Sequence, residues 1–337
     1  MIKATAGAAL AALMTTAALP AMAETIRVGD SFPVGHYIAE NMTKYWMELV
    51  TKNTNGAVTF EYFPAEQMGK AKDLLQLTQS GVLDVGYVGA SYVADKLPLS
   101  SVGELPEAFT TSCAGTKAFW QIAKPGGALD KAEFAPNGVR VLMVMVLPPY
   151  QIFTKSKEIT GIDSFKGLKL RSTGASKEIA TRLVGAVPVS IPAPESREAI
   201  SRGTLDGILF PHSSVLPYEI HPHLKYATQN TNFGSFVVTY TISQTRWDKL
   251  APEVQTALAD AGETATMHGC EIADELDGKD KQTIADAGVT FVDLPPADAA
   301  KVAEMMATVG DEWADTLEGR GRPARAILAA FRDALEQ

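Results

Sequence analysis

The stretch that decides the fold begins Gly167-Leu168-Lys169-Leu170-Arg171-Ser172-Thr173-Gly174 and continues through Leu183-Val184-Gly185-Ala186-Val187-Pro188-Val189. It closes with Arg197-Glu198-Ala199-Ile200-Ser201-Arg202-Gly203-Thr204-Leu205-Asp206-Gly207-Ile208-Leu209-Phe210-Pro211. Leu168 to Arg171 is a short run between glycines and reads as a strand. Ser176 to Val184 reads as a helix, with Lys177 and Glu178 in its first turn. Val187 to Ser190 reads as a strand, Pro194 to Ser201 as a helix stopped at Gly203, and Gly207 to Phe210 as a further strand. Strand, helix, strand, helix, strand is the grammar of an α/β layer with a parallel sheet.

The same grammar appears toward the N-terminus. Thr25 to Gly29, Ala57 to Phe63 and Val85 to Val88 read as strands. Between them, apolar residues at Ile38, Met42, Tyr45, Trp46 and Leu49 have helical spacing over Tyr37 to Thr51, and Lys72 to Gln79 forms a second helix. Val139 to Leu147 is a continuous apolar strand, as expected of a sheet covered on both faces. Phe236 to Ile242 is rich in β-branched residues, and the chain from Pro252 onward is largely helical, apart from a strand at Val289 to Val292 and the breaker Gly319 to Pro323. There is no Gly/Ser linker. The expectation is a two-lobed α/β binding-protein fold with hinge strands and a long C-terminal helical region. One lobe is expected to hold residues 24–149 plus 237–276, the other 150–236 plus 277–337. Crossings near Tyr150, Phe236 and Leu276 would let the lobes close over a central cleft.

The first residues decide the compartment. Met1-Ile2-Lys3, an apolar run from Ala4 to Leu19 and Pro20-Ala21-Met22-Ala23 have the order of a cleaved secretory signal, so residues 1–23 are expected to direct export to the periplasm. No later segment is long and apolar enough to insert in a membrane, which takes ~20 apolar residues. The 337 residues carry a formal net charge of −9 and no basic stripe with interleaved aromatics, which argues against nucleic acid as a partner. Acidity does not exclude an anionic ligand, because local groups set the field inside a cleft. The two cysteines, Cys113 and Cys270, are compatible with one disulfide or with two separate buried thiols.

Catalytic motifs are missing from the sequence. There is no Gly-x-Ser-x-Gly elbow, no His-Glu-x-x-His pair and no phosphate-cradling glycine loop. The proline inside His221-Pro222-His223 spoils a metal-binding face. No metal or cofactor is expected, and the balance moves toward binding rather than catalysis. Arg171 is the informative polar residue. It closes a strand just before Ser172-Thr173-Gly174, and ligands of open α/β sheets bind outside the carboxyl ends of strands. Its rigid fork suits a carboxylate. It could equally pair with a surface acid.

Taken in order, these segments resemble the solute-binding subunits of tripartite ATP-independent periplasmic (TRAP) transporters, the DctP-type family. Phe63-Pro64-Ala65-Glu66-Gln67-Met68-Gly69, Ser80-Gly81-Val82-Leu83-Asp84, Leu105-Pro106-Glu107-Ala108-Phe109 and Trp247-Asp248-Lys249-Leu250 extend the resemblance over almost the whole chain. It implies two α/β lobes around a cleft, a long helix across the back, and a small organic acid handed to the membrane permease subunits. It also implies that Arg171 pairs with the ligand carboxylate and that the protein is not an enzyme. This sequence departs from the family in three places. Pro148-Pro149-Tyr150-Gln151 lacks a second arginine, Phe210 stands where many relatives have asparagine, and Tyr87-Val88-Gly89-Ala90-Ser91-Tyr92 carries no charge. A monocarboxylate with an apolar or aromatic body is therefore expected, lined by Arg171, Phe210, Tyr92, Tyr150, His212, Gly89, Ala90 and Phe32. The aromatics could instead be plain core, and His212 either a hydrogen-bonding group or a bland loop residue. A periplasmic enzyme on a binding-protein scaffold and a ligand-presenting partner of a sensor are the alternative readings.

Overall fold

The computed structural model describes residues 24–107 and 109–337. The expected signal segment lies outside them. Eleven strands build two sheets among the described residues: β1 (Glu24–Gly29), β2 (Val58–Phe63), β3 (Val85–Gly89), β4 (Val139–Val146), β5 (Gln151–Thr154), β6 (Lys169–Arg171), β7 (Val187–Val189), β8 (Gly207–Phe210), β9 (Tyr226–Thr228), β10 (Val237–Ser243) and β11 (Thr290–Val292). The first sheet has the order β2-β1-β3-β10-β4 and the second β11-β9-β5-β8-β6-β7. Each is flanked by helices, so the chain folds as two α/β layers.

The expected parallel pairing holds for β2-β1-β3 and for β7-β6-β8. It fails where the chain crosses between sheets. β10 runs antiparallel to β3 and β4, and β5 antiparallel to β8 and β9. The chain passes from β4 at the edge of one sheet through Leu147-Pro148-Pro149-Tyr150 straight into β5 of the other. It returns from β9 into β10 through 229–236. A strand fed from the opposite sheet enters in reverse, so both sheets are mixed. β9 was not anticipated from sequence, because three residues are too few to show a period.

The long helix, Pro252–Asp286, spans 35 residues, about 52 Å at 1.5 Å per residue. Its first half belongs to the first sheet: Trp46 Nε1 donates to the Leu258 carbonyl at 3.1 Å, and the Val144 amide donates to Thr266 Oγ1 at 3.1 Å. Close approach requires glycine here, since a Cβ at Gly262 would meet the backbone of Leu142. Its last turns reach the second sheet, where Asp277 accepts from His212 at 3.1 Å and the chain runs on into β11. Cys113 and Cys270 are joined by a disulfide, which ties helix Ser112–Ala123 to this long helix. The last helix, Ala324–Leu335, which sequence reasoning placed with the second lobe, packs on Ser112–Ala123 of the first. Phe331 meets Phe109 edge-on and Arg332 bonds Glu107 at 2.9 Å. Its apolar stripe (Ala324, Ile327, Leu328, Phe331) is what finds that face. Among the described residues no helix is long and apolar enough to cross a membrane.

Candidate functional site

The two lobes meet just past the carboxyl ends of β3 and β6, where Gly174 lies against Ser91. Arg171 ends β6 and Phe210 ends β8, its parallel neighbour. The guanidinium carbon lies 4.7 Å from the Phe210 ring centroid, a cation–π contact. Arg171 is 1% exposed. Its Nε donates to the Ile191 carbonyl at 3.1 Å and its Nη1 to the Leu209 carbonyl at 3.4 Å. No carboxylate among the described residues pairs with it. The surface ion pair considered from sequence is therefore not formed, and a buried cation is left with neutral partners only.

Around Arg171, aromatic rings and the Lys177 ammonium together form a circuit. Phe32 meets Tyr87 at 4.9 Å, Tyr87 meets Tyr92 at 6.5 Å and Tyr92 meets Phe236 at 5.0 Å between centroids. The Lys177 ammonium bridges Phe236 (5.5 Å) to Tyr150 (5.6 Å). Tyr150 then meets Phe210 at 6.1 Å, Phe210 meets Tyr218 at 5.8 Å, Tyr218 meets His36 at 5.3 Å, and His36 stacks on Phe32 at 4.5 Å. Burial holds Tyr87, Tyr150 and Tyr218 well above the usual phenol range, so their hydroxyls are neutral donors. The Tyr87 hydroxyl is hydrogen-bonded to that of Tyr92. Gly89 sits inside the circuit: a Cβ there would lie 2.5 Å from Phe236 Cζ and 2.7 Å from Tyr87 Oη, so only glycine leaves these rings room.

Polar links cross from the first lobe to the second: Ser213 Oγ donates to Tyr37 Oη at 3.4 Å, and two more involve Tyr92 and Glu104. Tyr92 Oη accepts from the Ala193 amide at 3.0 Å. Glu104, at the end of the short helical stretch Leu99–Glu104, bonds Lys177 on helix Ala175–Leu183 at 2.7 Å, both side chains fully buried. Glu104 also accepts from Ser91 and from the Val237 amide, and Lys177 donates to the Ser235 carbonyl at 2.7 Å. Burial pushes the Lys177 ammonium below the usual lysine range while the Glu104 carboxylate opposes it. This pair balances its own charge, so Arg171 supplies the uncompensated one. Asp30 is the other buried charged group at the rim. It accepts from Tyr240 at 2.6 Å, Tyr62 at 2.9 Å and the Phe32 amide at 2.9 Å, which fixes the Phe32 backbone. Burial raises its carboxyl and these donors oppose the rise.

Of the residues expected to line the site, Arg171, Phe210, Tyr92, Tyr150, Phe32 and Gly89 come together here, and buried Ala90 follows Gly89 in the same wall. His212 does not join them. Its Nδ1 faces Asp277, and its ring packs between Phe153 and Phe291 on the side of the long helix. Helix His212–Val215 starts at this residue and turns it away from Phe210. Sequence reasoning missed Tyr218, Phe236, His36 and the Glu104–Lys177 pair. Beside Tyr218 a cleft of about 360 Å³ opens between Pro33, Ala65, Pro194 and Pro217, walled by both lobes. A larger groove of about 650 Å³ between Thr231, Val302 and Arg332 contains none of the residues in the ring.

Comparison with known proteins agrees with the fold. The family described as bacterial extracellular solute-binding protein, family 7, matches residues 29–316. The C4-dicarboxylate-binding periplasmic protein DctP of Rhodobacter capsulatus is 28% identical over 326 residues, 91% of this chain and 92% of that protein. A TRAP solute-binding protein from Rhodoferax ferrireducens, solved with copurified benzoate, superposes with a TM-score of 0.85 at 24% identity, covering 93% of this chain and 97% of that one. A TRAP periplasmic solute-binding protein from Bordetella bronchiseptica, solved with (R)- and (S)-mandelate, gives 0.83 at 25% identity, covering 93% and 99%. Two mixed sheets joined by crossing strands, a spanning helix and the match over 29–316 lead to one conclusion: this chain belongs to bacterial extracellular solute-binding protein family 7, the DctP-type solute-binding proteins of TRAP transporters.

Proposed function

We propose that this protein captures an organic monocarboxylate with an aromatic body in the periplasm and delivers it to TRAP membrane permease subunits. The observation that carries the reading is Arg171, a buried guanidinium with no counter-ion among the described residues, set against Phe210 within a circuit of aromatic rings. A buried charge is costly unless paired. A ligand carboxylate supplies the pair, and Tyr87, Tyr92, Tyr150 and Tyr218 offer hydroxyls around it. A second carboxylate finds no second free cation among the described residues around the rings, because Lys177 is committed to Glu104. Arg171, Phe210, Tyr92, Tyr150, Phe32, Gly89 and Ala90 form the proposed binding surface, with Tyr87, Tyr218, His36 and Phe236 added to it. The benzoate and mandelate bound by the two structural neighbours are aromatic monocarboxylates, which supports the reading. The lobes hinge at 147–150 and 229–236 and close over the acid.

The test is calorimetry on the purified protein, with mass spectrometry of any small molecule released on unfolding. Benzoate-type acids are expected to bind more tightly than succinate or malate. Tighter binding of either dicarboxylate removes the aromatic monocarboxylate reading.

A further inference from the structure

His36 is 1% exposed, and its Nδ1 accepts from the Ile38 amide at 3.2 Å. Burial lowers its pKa to about 3, so the ring is neutral at any periplasmic pH. A neutral imidazole has one N–H, and with Nδ1 accepting, the proton belongs on Nε2. That Nε2 is buried and has no partner among the described residues. The ring itself is held firmly. It stacks between Phe32 (4.5 Å) and Tyr37 (4.9 Å), and Tyr218 of the other lobe meets it edge-on at 5.3 Å. Tyr218 in turn leans on Phe210, which carries Arg171. A fixed, fully desolvated donor is therefore placed in the same ring of aromatics as the anchor, on the opposite lobe.

Resting on the monocarboxylate reading above, we propose that His36 is a specificity residue that donates from Nε2 to an uncharged oxygen on the ligand body. The preferred ligand is then an aromatic monocarboxylate bearing a hydroxyl or carbonyl group. A buried donor left unmade carries its full desolvation cost, so a ligand that satisfies it gains more than a typical surface hydrogen bond gives. A site built to bond an oxygen discriminates against the analogue that lacks it. A second carboxylate is the wrong partner, because neutral His36 brings no positive charge to a buried anion.

The experiment measures dissociation constants for benzoate and its 2-, 3- and 4-hydroxy isomers against wild type, His36→Phe and His36→Gln, with thermal melts to confirm folding. In wild type, one hydroxy isomer is expected to bind about tenfold more tightly than benzoate. His36→Phe keeps a flat ring for the stack. It should abolish that preference, so that benzoate and the favoured hydroxy isomer bind alike. His36→Gln offers an amide N–H and should restore part of the preference. Equal loss for benzoate and its hydroxy isomers in folded His36→Phe overturns the proposal, as does wild type binding benzoate with no preference among the isomers; the monocarboxylate reading survives both. If none of the four acids binds wild type, that reading fails and the role of His36 fails with it.

Discussion

Gly174→Ala is the sharpest test of lobe closure, because its effect is worked from contacts that exist only when the lobes are together. Gly174 has φ +92° and faces the other lobe. A Cβ there would fall on Ser91 Oγ, with Ser91 Cβ at 2.8 Å and Glu104 Oε2 at 3.0 Å. Ser91 cannot simply turn aside. It bonds Glu104, which is held by Lys177 at 2.7 Å and by the Val237 amide at 3.2 Å. The alanine must break the Ser91 bond to a charged group, worth about 1.5–3 kcal/mol, or keep the lobes apart. The backbone at φ +92° and ψ 155° lies in a region that is essentially glycine-only and adds about 1–3 kcal/mol, but in open and closed forms alike, so it lowers stability and not affinity. Closure alone therefore loses about 1.5–3 kcal/mol, and apparent affinity should drop about ten- to hundredfold, since only the closed fraction binds tightly. Calorimetry gives the affinity. Small-angle scattering should show the ligand-dependent compaction shrinking. Ser91→Gly in the same chain removes the obstructing hydroxyl and should recover most of the loss, a coupling read by a double-mutant cycle. Affinity within twofold of wild type in folded Gly174→Ala would mean that these lobes do not close on ligand as described.

Three further outcomes are expected. Arg171→Ala should weaken monocarboxylate binding more than about a hundredfold, the scale of roughly 3–5 kcal/mol for stranding one member of a buried pair, and Arg171→Lys should recover only part because it lacks the planar fork; near-normal calorimetric affinity in a folded Arg171→Ala protein would refute the anchor. Replacing Cys113 and Cys270 together by serine opens a loop of sequence separation 157 and should lower unfolding free energy in denaturant melts by up to about 5 kcal/mol on the chain-entropy view, with ligand affinity unchanged because the bridge ties helices at the back. Burial and the nearby Asp277 push Asp280 up to about 6; since its folded pKa lies above the unfolded 3.8, the folded state holds the extra proton between those values and stability is lost as pH rises through that window. Asp280→Asn should therefore raise the melting temperature at pH 8 more than at pH 5, and equal shifts at both would contradict this.

The α/β layers were legible because strand and helix periods are local properties of sequence, and the strand ends at Arg171 and Phe210 fell out of the same reading. Arg171 stood out for a physical reason, a rigid cation at a strand end next to Ser172-Thr173-Gly174. The rest of the site was hidden by its construction. Tyr218 touches His36, and Lys177 touches Glu104, only across the gap between lobes, and no local pattern encodes such a pair. Strand β3 is buried on both faces, so alternation could not say that Tyr87 points inward. His212 misled because proximity to Phe210 along the chain suggested proximity in space, whereas the helix that starts there rotates it toward Asp277. The direction of β5 and β10 was equally invisible, since it depends on which sheet each crossing strand joins.

The circuit of rings has a kinetic consequence. Its members come from both lobes, so on the proposed binding mode an acid held there is contacted from both sides of the cleft. Release would then depend on parting the links between the lobes, among them Tyr92–Ala193, Glu104–Lys177 and Tyr37–Ser213. The dissociation rate is then a property of the hinge rather than of the ligand's own contacts, and chemically different acids should leave at similar rates even where their affinities differ through capture. A membrane partner that pries the lobes apart would set the residence time directly, turning a slow spontaneous exit into one timed by docking.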